Sequence, residues 1–110
     1  MPMIYKVLGQ TDTPNTNVIT LYTVPASAQS VISTLVVCNR SAANGTYNVM
    51  VRPAGASLAN QHYIAYNGAM PAYDTIALTL GLSLGNNDVI SVQAGTANNT
   101  SFSVYGTEIY

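Results

Sequence analysis

Two apolar runs separated by a short polar segment, within residues 30–53, constrain the fold more than any other part of this chain. Residues 30–38 and 47–51 are rich in valine and other apolar side chains, and residues 39–46 between them contain an Asn-Gly pair. This pattern predicts two antiparallel strands joined by a turn, in which Asn44 and Gly45 adopt positive φ angles. The first run is apolar on both faces, so we expect a second sheet or another chain to cover each face.

Side chains alternate between the two faces of a strand, and this rule assigns the faces of both runs. In the second run, Tyr47, Val49 and Val51 share one face, and Asn48, Met50 and Arg52 share the other, which predicts a one-sided strand. Cys38 is interpreted as a buried, inert thiol. In the first run the rule places Val31, Ser33, Leu35 and Val37 on one face, and Ile32, Thr34, Val36 and Cys38 on the other.

The rest of the chain repeats the same theme of short apolar runs divided by Gly, Pro and Asn clusters. No window has the apolar spacing of an amphipathic helix. Residues 1–10 are interpreted as a first edge strand or as an N-terminal arm that lies on a neighbouring molecule. Residues 11–110 are expected to form a single domain. The remaining predicted strands are residues 17–24, 61–66, 73–80, 88–94 and 100–109.

The pattern therefore predicts an all-β protein, an antiparallel β-sandwich of seven or eight strands. Strand count alone leaves a jelly roll and an immunoglobulin-like sandwich both open. Residues 81–87 are interpreted as a turn, and the GLSLG sequence within them as a loop and not as a nucleophile elbow. The inward residues expected from alternation in the later strands are Ile76, Leu78, Leu80, Ile90, Val92, Ala94, Phe102 and Val104.

Charged residues are scarce, since the chain has three basic and four acidic side chains among 110 residues. An average chain of this length carries about 27 charged residues. Three basic side chains cannot supply the multi-phosphate contacts of nucleic-acid binding. No apolar run approaches the roughly 20 residues that span a membrane, and the first residues do not have the pattern of a signal peptide. Because charge keeps isolated domains soluble, we expect much of this surface to be covered in an obligate assembly.

The chemistry of the side chains argues against catalysis. His62 is the single histidine, and the possible metal ligands are far apart with no ligand spacing. We therefore expect no enzyme activity, no metal and no cofactor. His62 is interpreted as a strand residue that points to solvent or to an interface. Four Asn-X-Ser/Thr sequences, at Asn39, Asn44, Asn98 and Asn99, are interpreted as chance matches.

Tyrosine is abundant, with eight copies, and surface tyrosines favour interfaces and stacking on sugars. Tyr63 and Tyr66 are an odd spacing apart, so alternation predicts that they face opposite sides of one strand.

Three motifs carry a resemblance to a known class of proteins. They are TVPA at residues 23–26, VVCNR at residues 36–40, and the segment 79–89 with its TLGLSLGNNDV sequence. In this respect the chain resembles small β-rich virion proteins of tailed bacteriophages. Such proteins serve as head decoration (cement) proteins, often trimers at the junctions between capsomers, or as tail and fibre components. The resemblance carries no catalytic residues.

The resemblance implies a structural virion protein, made in the host cytoplasm and placed on the capsid exterior. It would form a homotrimer and bridge subunits of the major capsid protein. The alternative is a tail or fibre-tip module that binds host glycans through tyrosine and amide side chains. An N-terminal arm could reach the capsid, and the two arginines could pair with capsid carboxylates. The candidate interface residues are Met3, Ile4, Tyr5, Arg40, Arg52, His62, Tyr63 and Tyr66.

Overall fold

The computed structural model describes residues 3–79, 81–96 and 98–110, and this part of the chain contains nine β-strands and two short 3-10 turns. The expected all-β architecture is confirmed, with one strand more than predicted. The additional strand lies inside the segment that was interpreted as a turn. The strands are β1 (Met3–Asp12), β2 (Ile19–Thr23), β3 (Gln29–Asn39), β4 (Gly45–Arg52), β5 (Tyr63–Met70), β6 (Thr75–Leu78), β7 (Leu82–Leu84), β8 (Val89–Ala94) and β9 (Thr100–Ile109).

The described strands form two antiparallel sheets that pack face to face. Sheet A has the order β1-β9-β3-β6, with β7 also paired to β3, and sheet B has the order β2-β8-β4-β5. The first two strands of an immunoglobulin-like sandwich are neighbours in one sheet. Here β1 and β2 belong to different sheets, and the order of both sheets is that of a jelly roll. The strand order thus decides between the two alternatives.

Strands β3 and β4 do not form the predicted hairpin, because they lie in different sheets. Both sides of β3 are already paired, with β9 on one side and with β6 and β7 on the other. Strand β4 therefore has no free edge of β3 to join, and the chain crosses from sheet A to sheet B. Neither Asn44 nor Gly45 has the positive φ angle that a tight hairpin turn would require.

Asn39, at the end of β3, holds this crossing together. Its side chain is buried, and its Nδ2 lies 3.0–3.1 Å from the carbonyl oxygens of Ala43, Met70 and Pro71. Its Oδ1 accepts a hydrogen bond from the backbone N–H of Ser41. One amide side chain thus satisfies backbone groups from two segments of the chain, which the interpretation as a chance glycosylation match did not anticipate.

A β-bulge in β3 changes which residues face the core. The register against β9 shifts between Ile32 and Thr34, which leaves Ser33 as an extra residue. As a result Ile32 is fully buried together with Leu35 and Val37. The strict alternation predicted for this strand is therefore wrong, because a bulge moves every upstream side chain to the other face.

The core between the two sheets is one continuous cluster of apolar side chains. The later strands follow the predicted alternation, and Ile76 and Leu78 pack against this cluster. Leu80, also predicted to point inward, lies outside the described residues. The buried members from β4, β8 and β9 are Tyr47, Val49, Ile90, Val92, Ala94, Phe102 and Val104.

The connection between β4 and β5 contains two 3-10 turns that lie against β4 and β8 of sheet B. Met50 points away from the main core but is fully buried, in contrast to the one-sided strand that was predicted. The 3-10 turn Asn60–His62 lies against β4, and Arg52 Nη1 donates to the carbonyl oxygen of Ala56 at 3.1 Å. The connecting segment therefore folds back against β4.

Candidate interaction surfaces

The outer face of sheet A carries almost no charge. Paired residues of antiparallel strands point to the same face, and Phe102 and Val104 of β9 point into the core. The odd-numbered residues of β9 and their partners therefore face outward. Asp12, at one end of β1, is the one charged residue among the outward positions that the structure describes. The central outward residues are Met3, Tyr5 and Val7 of β1, Tyr105, Thr107 and Ile109 of β9, and Val31, Thr34 and Val36 of β3.

Part of this face is exposed apolar surface. Met3, Tyr5, Val7 and Val31 are all exposed, and Tyr5 has the most accessible side chain of this group. Cys38 also lies at an outward position and is half-buried, so its interpretation as a buried core thiol is wrong. Cys38 pairs with Ser101 of β9 and alternates with the buried Val37, so it faces outward.

Strand β1 forms one edge of sheet A. It pairs with β9 along its length, and a register shift between Val7 and Gly9 leaves Leu8 as a bulged residue. We call residues 3–7, which precede the bulge, the free edge of β1. Within the described part of the chain, the backbone of residues 3–7 makes hydrogen bonds only in the ladder with β9. Met1 and Pro2, which belong to the predicted arm, lie outside the described residues.

A buried polar network lies between the two sheets, beside this edge. Glu108 of β9 is 2% exposed and accepts hydrogen bonds from the Tyr22 hydroxyl at 2.6 Å and from the Tyr110 hydroxyl at 3.0 Å. Lys6 Nζ lies 3.0 Å from Glu108 Oε1, and the hydroxyls of Tyr22 and Ser30 are 2.7 Å apart. The network ties the free edge of β1 to β9 and to sheet B.

The protonation of this network follows from its contacts. Burial alone would raise the pKa of Glu108, but hydrogen bonds from Tyr22, Lys6 and Tyr110 outweigh it and lower that pKa. Burial raises the pKa of the Tyr22 hydroxyl, and its hydrogen bond to Glu108 raises it further. Glu108 is therefore a carboxylate at neutral pH and Tyr22 is a neutral donor. Ser30, the serine of this network, is fully buried.

Tyr63 and Tyr66 come together, contrary to the prediction that they face opposite sides. Their rings make an edge-to-face pair with centroids 5.0 Å apart. Strand β5 contains two register shifts against β4, and Asn67 has a φ of 51°. These irregularities break the alternation of side chains and bring both rings to one side. With Asn60 the two tyrosines line a shallow depression of about 350 Å³.

The structure does not gather the eight candidate interface residues into one surface. Met3, Ile4 and Tyr5 lie on the free edge of β1, whereas Tyr63 and Tyr66 lie on β5, which is the far edge of sheet B from β2. Those two groups therefore occupy different edges of the sandwich.

The remaining three candidates bind their own chain. Arg40 Nη2 donates to the carbonyl oxygen of Asn98 at 3.2 Å, and Arg52 Nε donates to Ser91 Oγ at 3.1 Å. His62 is buried in a 3-10 turn, where its Nδ1 accepts the N–H of Ala59. The interpretation of His62 as an outward strand residue is therefore wrong.

In the described residues, no group of three or more His, Cys, Asp or Glu side chains could hold a metal ion. Over those same residues, no helix has the length and apolar character needed to cross a membrane. Ser83, at the centre of GLSLG, lies on the short strand β7 and pairs with Val31 of β3. It is therefore not on a strand-to-helix turn.

Comparison of this chain with protein-family models, with curated proteins and with solved structures finds no match.

Proposed function

We propose that this protein is a structural component of a phage virion, a capsid decoration (cement) protein. In this proposal it forms a homo-oligomer, a trimer, and bridges subunits of the major capsid protein on the outside of the head. The observation that carries the proposal is the nearly uncharged outer face of sheet A, where exposed Met3, Tyr5, Val7 and Val31 lie among neutral side chains. Exposed apolar patches of this kind are typical of protein interaction sites.

The positions of the charged residues support this proposal. Lys6 and Glu108 bind each other, and both arginines donate to groups of their own chain. Asp88 accepts the N–H groups of Ala54 and Gly85, both at 2.8 Å. Asp74 accepts the N–H of Thr75. Most of the few charges thus stabilise the fold, so recognition of a partner would rely on apolar contacts and neutral hydrogen bonds.

Such a protein acts by binding alone. A subunit that binds the assembled shell and not its separated parts stabilises the shell by mass action. Jelly rolls are common among viral capsid domains and lectins, which is an analogy of fold and not evidence of function. Arg40 is exposed and keeps further guanidinium N–H groups for a capsid carboxylate.

The decisive experiment places a charge on the outer face of sheet A. We expect Val31→Asp to weaken binding to capsid shells by at least about tenfold, because an unpaired carboxylate must lose its water in the contact. The measurement is co-sedimentation with shells that lack the protein, at several protein concentrations. Val18→Asp is the matched control, since Val18 is 39% exposed and Val31 is 41% exposed. Equal binding by both variants, or no binding by the unmodified protein, would contradict the proposal.

A second candidate function is supported by the depression beside Tyr63 and Tyr66. Two aromatic rings with the amide of Asn60 match the needs of a neutral saccharide, which stacks on aromatic faces and bonds to amides. This arrangement favours the alternative of a glycan-binding tail or fibre module.

This alternative has its own test. If the depression binds glycans, Tyr66→Ala removes the exposed ring and should abolish binding to saccharides on a glycan array and in calorimetry. The oligomer should stay intact. Tyr73→Ala, which removes another exposed tyrosine from a turn, should leave any binding unchanged. If the unmodified protein binds no saccharide, the depression has no such role.

A further inference from the structure

The free edge of β1 differs from the other sheet edges that the described strands form. Strand β2 has five residues and a register shift, and β5 has two register shifts. The remaining edge is divided between β6, with four residues, and β7, with three. Short or bulged edges resist the addition of another strand. The free edge of β1 has neither form of protection along residues 3–7.

Charge does not protect this edge either. Proteins commonly block strand addition with a lysine on an exposed edge. Lys6 is the one charged residue of the free edge, and its ammonium group is 3.0 Å from the buried carboxylate of Glu108. That contact holds Lys6 toward the inner side of the sheet. The outward side of the same segment presents Met3, Tyr5 and Val7, all of them exposed.

We infer that the free edge of β1 pairs with the free edge of a second copy of this chain, antiparallel about a two-fold axis. This inference deepens the proposed self-association and rests on it for the choice of partner. A strand can add only to an edge that is itself open, and the described edges other than the free edge of β1 are short or bulged. A second copy of β1 is therefore the complement that this chain provides.

The register of the pairing follows from the length of the free edge. Full overlap of residues 3–7 places Tyr5 opposite Tyr5 of the second copy, and Met3 opposite Val7. On the inner side, Ile4 meets the aliphatic stem of Lys6 of the second copy. No like charges lie directly opposite each other in this register, a condition that antiparallel pairs require.

The size of the contact is adequate for a weak, specific interface. Met3, Ile4, Tyr5 and Val7 are between 43% and 76% exposed, and together with the backbone they offer on the order of 1,000 Å² between two copies. That area lies at the lower limit for specific association. Because the contact is two-fold, it produces dimers when the chain is free in solution. If a trimer forms through another surface, the same contact joins neighbouring trimers.

Cysteine cross-linking tests this pairing on the full chain. In a Cys38→Ala background, Tyr5→Cys places two thiols opposite each other, with Cα atoms about 4.5–5.5 Å apart. That separation permits a disulfide. With diamide as the oxidant, we expect at least about tenfold more linked dimer than for Tyr73→Cys. Tyr73 is the matched control, being 74% exposed against 76% for Tyr5. Equal cross-linking of the two variants would overturn the inference.

A second variant measures the same contact without covalent chemistry. Tyr5→Lys puts two like charges opposite each other, and we expect the two-fold association in sedimentation equilibrium to weaken at least tenfold, while Tyr73→Lys leaves it unchanged. If the unmodified protein is a monomer and Tyr5→Lys loses capsid binding, the edge pairs with a strand of the capsid protein. That result would overturn the inference. Cross-linked dimers without any capsid binding would support the pairing and overturn the cement function.

Discussion

Replacing Asn39 by leucine is expected to cost about 3–5 kcal/mol of the free energy of unfolding, the largest effect of any substitution considered for this fold. The buried amide group lies 3.0–3.1 Å from three carbonyl oxygens and accepts the N–H of Ser41. Leucine has a similar volume but satisfies none of them. Each buried backbone group that loses its hydrogen-bond partner costs about 1–3 kcal/mol. A water molecule would not replace the lost partner at every one of these groups.

Urea denaturation followed by circular dichroism measures this effect. Asn39→Asp should also destabilise strongly, because it keeps the acceptor for Ser41 but turns a carboxylate oxygen toward the three carbonyl oxygens. Asn15→Asp is the control, since the exposed Asn15 uses only its Oδ1, as acceptor for the N–H of Asn17. A change below about 1 kcal/mol for Asn39→Leu would show that the crossing between the sheets does not depend on this side chain.

Replacing Glu108 by glutamine is expected to cost about 2–4 kcal/mol, because this buried carboxylate accepts hydrogen bonds from Tyr22, Tyr110 and Lys6 and the amide cannot replace all of them. The amide keeps the shape of the side chain but loses the charge, and its NH₂ group, which only donates, can accept neither from Lys6 nor from a tyrosine hydroxyl. Asp12→Asn is the control, since Asp12 is exposed at the other end of β1 and its side chain bonds to none of the described residues. Its effect should stay within about 0.5 kcal/mol.

The same carboxylate predicts a dependence of stability on pH. Folding lowers the pKa of Glu108 below its ordinary value of 4.5. Its stabilising contribution is therefore complete above pH 4.5 and declines as the pH falls through the lower pKa of the folded state. We expect the unmodified protein to lose stability over this acidic range and Glu108→Gln to lose less. Parallel pH profiles for the two proteins would contradict the assignment of the network.

The local sequence was sufficient to predict which residues of the regular strands face the core. Ile90, Val92 and Ala94 alternate without a bulge, so counting by two assigned them to the core correctly. The same count failed in β3, where Ser33 is an extra residue, and in β5, where Tyr63 and Tyr66 come together. A bulge depends on pairing with a distant strand, and its position is not marked by the residue types on either side.

The polar residues that stabilise the fold were missed for a related reason. Asn39 bonds to carbonyl oxygens 31 and 32 residues away, and Glu108 accepts from a hydroxyl 86 residues away. Continuing the alternation of Phe102 and Val104 along β9 would have placed Glu108 inward. That sequence signal identifies a buried acid, but it does not name Tyr22 or Lys6 as its partners.

The sequence by itself determined the fold class and the scarcity of charged residues, because the spacing of apolar residues and the composition can be read without knowing any contact. It also marked Met3, Ile4 and Tyr5 as apolar residues of a terminal strand. Only the tertiary structure decided that β3 and β4 lie in different sheets, which face of β3 is buried, and that the edge of β1 is open. Those outcomes depend on strand register and on which edges are already paired, and both are set by contacts between distant parts of the chain.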